Sequence, residues 1–190
     1  SRLMGIPTLI KTLTASGSSS LDFVDGTSSV VLDSTYDEYM FVFTDINPAT
    51  DGVHFEFQVN ATDDAGGGYD TSLITSTWFQ AAHNHLPGDD TAFGYAAAMD
   101  LAQAADEVIL SGTVGNGSDE SCAGILHLFN PSSTTYVKHF YARVHGHDLD
   151  NFHKDQFIAG YINDTTAIDE VRFKCSSGNF DGVIQLYGIA

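Results

Sequence analysis

From Val53 to Val59 the chain alternates without a break. Val53, Phe55, Phe57 and Val59 point one way, and His54, Glu56 and Gln58 point the other. Successive side chains of extended backbone lie on opposite faces, so this rhythm makes a strand with one buried face and has no use in a helix. The rhythm recurs. In Asp37 to Thr44, Tyr39, Phe41 and Phe43 share one face, with Met40 and Val42 on the other. In Thr134 to Val144, Tyr136, Lys138, Phe140 and Ala142 oppose Val137, His139, Tyr141 and Arg143. Further strands are predicted at Thr8 to Leu13, Ser72 to Phe79, Val108 to Val114, Ser121 to Phe129, Gln156 to Tyr161, Glu170 to Cys175 and Gly182 to Tyr187. Turn-forming stretches separate them: Asp45 to Gly52, Gly115 to Glu120, Asn130 to Ser133, Asn163 to Thr166 and Ser176 to Asn179.

About ten or eleven short strands at this density predict an all-β fold, an antiparallel two-sheet β-sandwich of jelly-roll-like form. The 190 residues suit one domain. Two segments break the strand pattern. Phe79 to Ala92, with His83, His85 and Pro87, reads as a long loop. Ala96 to Glu107 is alanine-rich, with Met99, Leu101 and Ala105 roughly one helical turn apart, and predicts one short helix. Residues 1–20 read as an N-terminal arm or an edge strand, with linker-like composition in Ala15 to Ser20.

Charge excludes several classes of function. Seven basic against 25 acidic residues give a net charge of −18, and no lysine or arginine occurs in the 126 residues between Lys11 and Lys138. Nucleic-acid binders need the opposite balance, and anionic membrane surfaces are disfavoured by the same sign. There is no apolar run of membrane-spanning length and no leader-like opening, so a soluble protein is expected. The acidic surface keeps such a chain dispersed, above all in a salty medium where the Debye length falls to about 4 Å.

Several residue sets could carry chemistry. The pairs His83/His85 and His145/His147 have the i, i+2 spacing that puts both rings on one strand face. His147 and His153 could hold a borderline metal together with Asp148 or Asp150 if they converge. The loop Asp63 to Asp70 could offer carboxylates and carbonyls to calcium, although it lacks the spacing of a known calcium loop. Glu38 and Glu56, on strands expected to be neighbours, are the best candidate carboxylate pair for glycoside hydrolysis. Cys122 and Cys175 allow one disulfide or two free buried thiols. Trp78 and Phe79, at a strand end, could form a carbohydrate platform or an interface anchor, or serve the core. Asn60, Asn116 and Asn163 match the short glycosylation sequon. None of these sets has the signature of a known active site. The reading is therefore of no enzyme: no catalytic residue, no cofactor-binding residue, no cofactor and no resident metal.

The last strands carry a resemblance. Ile168-Asp-Glu-Val-Arg-Phe-Lys-Cys-Ser-Ser-Gly-Asn-Phe-Asp-Gly-Val-Ile-Gln-Leu-Tyr-Gly-Ile189 resembles the C-terminal hairpin of virion structural proteins from tailed bacteriophages, especially marine and cyanobacterial ones. Those proteins often end on Ile-x-Leu-Tyr-Gly-Ile, preceded by an Arg-Phe strand and a Ser-x-Gly-Asn turn. Leu32-Asp-Ser-Thr-Tyr-Asp-Glu-Tyr-Met-Phe-Val-Phe-Thr-Asp-Ile-Asn-Pro-Ala-Thr-Asp51, followed by Phe55-Glu-Phe-Gln-Val59, is similar to the same proteins. The resemblance implies a capsid decoration (cement) protein, or a tail-fibre-like component that recognises host-surface carbohydrate. Its place would be the virion, assembled in the host cytoplasm, with other virion proteins, the major capsid protein above all, as partners. It also implies a homo-oligomer, for which a trimer is common. The scarcity of lysine and arginine suits a position outside the shell, away from packaged DNA. The charge-balanced C-terminal part, with Lys138, Arg143, Lys154, Arg172 and Lys174, and Arg2 at the other end, is the expected contact region. The chain lacks the long fibrous repeat or coiled coil of a whole fibre.

Overall fold

A computed structural model describes residues 5–63, 69, 72–85 and 90–190. Among them are thirteen strands: β1 (Thr8–Ser18), β2 (Ser20–Val24), β3 (Glu38–Pro48), β4 (Val53–Ala61), β5 (Ile74–Asn84), β6 (Thr91–Tyr95), β7 (Ala102–Ala104), β8 (Val108–Val114), β9 (Cys122–Phe129), β10 (Lys138–His147), β11 (Phe152–Ile162), β12 (Ile168–Cys175) and β13 (Phe180–Ile189). They form two antiparallel sheets. One has nine strands in the order β1-β13-β3-β9-β10-β11-β5-β6, with β7 also paired to β5, and the other has four in the order β2-β12-β4-β8.

Eight of these strands make a framework. The quartet β1-β13-β3-β9 packs on β2-β12-β4-β8, and along these eight the chain changes sheet at every step except from β4 to β8. That is the connectivity of a jelly-roll-like sandwich. Two excursions enlarge only the first sheet: β5 to β7 leave between β4 and β8, and β10 to β11 leave between β9 and β12. β1 is the outermost strand beyond β13, so the segment read as an arm or edge strand lies at a sheet edge from Thr8 onward.

The inward faces carry the residues that the alternation picks out. Tyr39, Phe41 and Phe43 from β3 meet Phe55, Phe57 and Val59 from β4, all of them buried. Phe173 on β12 is the hub: its ring lies 5.1–6.2 Å from those of Phe23, Phe41, Phe43, Phe55 and Phe57. Burying one such ring contributes about 1.5–3 kcal/mol.

No helix is present among the described residues, which corrects the helix expected at Ala96 to Glu107. Alanine favours a helix, but the free edge of β5 offers this segment better hydrogen bonding. Ala102 and Ala104 pair with Thr75 and Ile74. The Leu101 amide donates to Ser76 Oγ at 3.0 Å, and its carbonyl accepts from the Ser76 amide at 2.9 Å. Gln103, at a φ of 52°, breaks any helical run, and its amide and side chain both reach Thr75 Oγ1. Met99 and Leu101 still pack on the core, so the apolar spacing has a different cause. The loop expected from Phe79 is likewise strand: β5 continues to Asn84, and β6 opens at Thr91.

Candidate functional site

The outward side of the nine-stranded sheet is where the molecule leaves large rings in contact with solvent. Antiparallel register places Ile125 of β9, Arg143 of β10, Phe157 of β11, Phe79 of β5 and Tyr95 of β6 in one row across five strands. A second row runs Met40, His127, Tyr141, Ala159, Thr77, and a third runs Ala123, His145, Asp155, Ala81, Phe93. Phe93 is 80% exposed, Tyr95 57%, Tyr141 46% and Phe79 37%.

These groups are ordered by one another. Phe79 and Phe157 stack, and Phe93 meets Phe79 edge-on with centroids 6.3 Å apart. The Arg143 guanidinium lies 5.1 Å from the Phe157 ring centroid and grips Asp155 through two hydrogen bonds of 2.9 and 2.7 Å. That fork holds the Asp155 carboxyl below its ordinary range and neutralises the one carboxylate in these rows. His127 stacks on Tyr141 at 4.6 Å and hydrogen-bonds Glu38. A hollow of about 290 Å³ opens between Phe79, Tyr141, Arg143 and Phe157, and a second of about 280 Å³ between Ile125, Arg143, His145 and Asp155. The surface offers flat apolar rings, a fixed guanidinium–carboxylate pair and two shallow recesses.

Histidines crowd one end of this face. His147, His153 and His83 are register partners across β10, β11 and β5. His145 Nε2 and His153 Nδ1 are 3.3 Å apart, and His85 Nδ1 and His147 Nε2 are 3.1 Å apart. His147 and His153, candidates for a shared ion only if they converged, are register partners. Each nevertheless turns its ring to a different histidine. Asp148 is not free for a metal: it is buried, its Oδ1 accepts from the amides of Asp150 and Phe152, and its Oδ2 pairs with Lys154 Nζ at 2.5 Å. Among the described residues no three His, Cys, Asp or Glu side chains form a metal-holding group.

The other candidates separate. Trp78 is 2% exposed and belongs to the core, so the exposed ring of the Trp78-Phe79 pair is Phe79. Alternation within a longer β5 divides the expected roles, giving Trp78 the core and Phe79 the outward side. Glu38 and Glu56 lie on different sheets rather than on neighbouring strands. Glu56 sits with Lys174 (3.4 Å) in a cluster that includes Glu107 and Arg172, and burial pushes its carboxyl up against the pull of Lys174. Cys122 and Cys175 are free and buried, and burial pushes both thiols up, Cys175 to about 12, which leaves them poor nucleophiles. Asn60 is buried, whereas Asn116 and Asn163 are exposed. Of the proposed calcium loop, Asp64 to Gly68 and Asp70 lie outside the described residues, as does Arg2.

The basic side chains expected at contacts are engaged within the chain. Lys138 is fully buried and donates to the carbonyls of Asp164 (3.2 Å) and Thr166. Arg143 holds Asp155, Lys154 holds Asp148, and Lys174 holds Glu107 at 2.8 Å. Arg172 covers the Tyr69 ring, with 3.7 Å to its centroid. Sequence reasoning missed Phe157, Phe93, Tyr95, Tyr141 and Ile125 as a group. The available signal was an aromatic or branched residue at the outward position of several strands whose inward positions were already apolar.

No family model matches this chain, and no curated protein matches it either.

Proposed function

We propose that this chain is a non-enzymatic structural protein of a virion, a capsid decoration (cement) protein that binds other virion subunits through the outward face of its nine-stranded sheet. The carrying observation is the row Ile125, Arg143, Phe157, Phe79, Tyr95. It is continuous across five strands and exposes rings that no other sheet covers. Contiguous exposed apolar surface marks an interaction site, and aromatic residues and arginine are the types enriched at the centre of protein interfaces. In a protein of net charge −18, this is also the surface where an approaching acidic subunit meets an already neutralised carboxylate. Cement proteins stabilise a shell by mass action, binding the assembled form and not the dissociated one. The resemblance of the last two strands to phage virion proteins suggests the virion itself and a homo-oligomeric state, for which a trimer is common.

The test is co-sedimentation of the purified chain with tailed-phage shells, together with its mass in solution. Co-sedimentation abolished by Phe79→Ala with Phe157→Ala supports the proposal. A monomer that ignores shells and tail assemblies overturns it.

A second reading is favoured by one observation. The hollow beside Phe79 combines flat rings with the polar Arg143–Asp155 pair, the combination that a sugar ring needs. It corresponds to a tail or receptor-binding component that recognises host-surface carbohydrate. Binding on a glycan array that falls on Phe79→Ala would move the assignment there, and silence across a broad array would remove it.

A further inference from the structure

Five of the eight histidines gather where the ends of β5, β10 and β11 meet: His83, His85, His145, His147 and His153. His83 stacks on His153 at 5.8 Å and His85 on His147 at 5.2 Å, while His145 meets His153 tilted at 5.5 Å. Two of these contacts bring ring nitrogens face to face, at 3.3 Å for His145/His153 and 3.1 Å for His85/His147. Two imidazole nitrogens bound to one ion at about 2.0–2.1 Å stand about 2.9 Å apart at a right angle and about 3.4 Å apart at the tetrahedral angle. Both observed separations fall inside that span; in the free chain each pair is joined by a hydrogen bond, and binding an ion requires that proton to leave and the rings to turn until both lone pairs meet the ion.

Neighbouring groups act on two of these rings. Glu120 Oε1 lies 3.4 Å from His147 Nδ1, the ring nitrogen remote from His85, and the Glu120 carboxylate is itself held by the Gly117 amide. His147 Nδ1 is buried and makes no hydrogen bond, so Glu120 acts on this ring through its charge alone. On His83, Nδ1 faces the Asn84 carbonyl at 2.5 Å and donates to it.

We propose that this corner binds a divalent ion of the borderline class (zinc, nickel or copper) through the imidazole pairs His145/His153 and His85/His147. The inference goes beyond the docking function and does not rest on it. Each pair supplies two donors, and since no three donors of the described chain converge, water or a group from a docked molecule completes the shell. Imidazole nitrogen is a preferred donor for these ions and a poor one for magnesium or calcium.

The test uses the purified full chain and metal alone, so it is independent of any shell. Zinc chloride is titrated calorimetrically near pH 7.5, where imidazole is mostly neutral. Copper is then added, and its electron paramagnetic resonance spectrum is read for coupling to ligand nitrogens. Saturable zinc uptake is expected, with coupling to two nitrogens at the occupied pair. Replacing a pair (His145→Gln with His153→Gln, or His85→Gln with His147→Gln) should remove the ion bound there. Glu120→Gln should weaken the His85/His147 pair about threefold, by removing a negative charge beside it. His139→Gln, outside the corner, is the control. The absence of saturable uptake overturns the inference, as does uptake that persists unchanged in the variant lacking all four histidines.

Discussion

Phe79 on β5 and Phe157 on β11 lie face to face in register, their centroids 4.9 Å apart and their planes 4° from parallel. The pair sits on the outward side of the sheet, so it orders a surface rather than filling the core. Phe79→Ala should therefore cost little stability, within about 1.5 kcal/mol for the lost stacking, while Phe79→Ala with Phe157→Ala removes partner binding. Thermal melts and co-sedimentation on the same samples check both halves. A large fall in melting temperature would mean that the rings serve the fold instead.

The opposite outcome is expected at Phe173. Its ring touches five other phenylalanine rings between the sheets. Phe173→Ala leaves a hole that surrounding strands cannot close, and should cost about 3–5 kcal/mol. Urea unfolding should show a lower midpoint with an unchanged slope.

Acid should weaken the molecule in part through Asp164. Burial pushes its carboxyl up, but hydrogen bonds from Ser72 Oγ (2.5 Å) and from the amide and hydroxyl of Thr166, with Lys138 nearby, outweigh this and hold it below 3.8. The native chain then binds this proton less readily than the unfolded chain. The stability it contributes is complete above the unfolded value and is lost as pH falls through the native one. Asp164→Asn should be less stable than the parent by about 1 kcal/mol at neutral pH. In acid the two should converge, as read by urea midpoints on either side of the transition.

Gly160 on β11 has no room for a side chain. A Cβ there would lie 2.4 Å from the Thr75 carbonyl oxygen and 2.7 Å from Phe140 Cζ. Gly160→Ala should push β5 away from β11 and cost about 1–3 kcal/mol. Hydrogen exchange should then show amides of β5 and β6 opening before those of β3, β4 and β12. Uniform loss of protection would contradict this.

Local pattern revealed the framework because each of its strands repeats the same inward code. Tyr39, Phe41 and Phe43, like Val53, Phe55, Phe57 and Val59, are buried as their alternation requires, whereas Glu56 and Gln58, read as the open side of β4, are buried as well. The extra strands were harder to read. At Ala102 to Ala104 the decisive partner, the edge of β5, lies 28 residues away at Thr75, and no local propensity contains it. Trp78 and Phe79 adjoin in sequence, so a one-residue parity decides which is seen by solvent, and parity is unreadable while a strand's ends are unknown. The outward aromatic face was illegible for a related reason. Its members come from β9, β10, β11, β5 and β6, and only the register aligns them. The histidine corner was half legible, since the i, i+2 pairs announced themselves but the pairing of His145 with His153 and of His85 with His147 needed three strands to be set side by side.

β5 and β11 reach each other from separate excursions and pair at eleven positions, from Ile74↔Ile162 to Asn84↔Phe152. The dependence between them is one-sided. β10 and β11 could hang on β9 without help, whereas β5 has no place in the sheet unless β11 is already there. A shortened descendant that lost β5 to β7 would bare the whole flank of β11, a long row of unsatisfied amides and carbonyls that invites a strand from another molecule. Trimming this fold on that side would thus create a self-associating protein, and the β5 to β7 excursion doubles as the cap that prevents it.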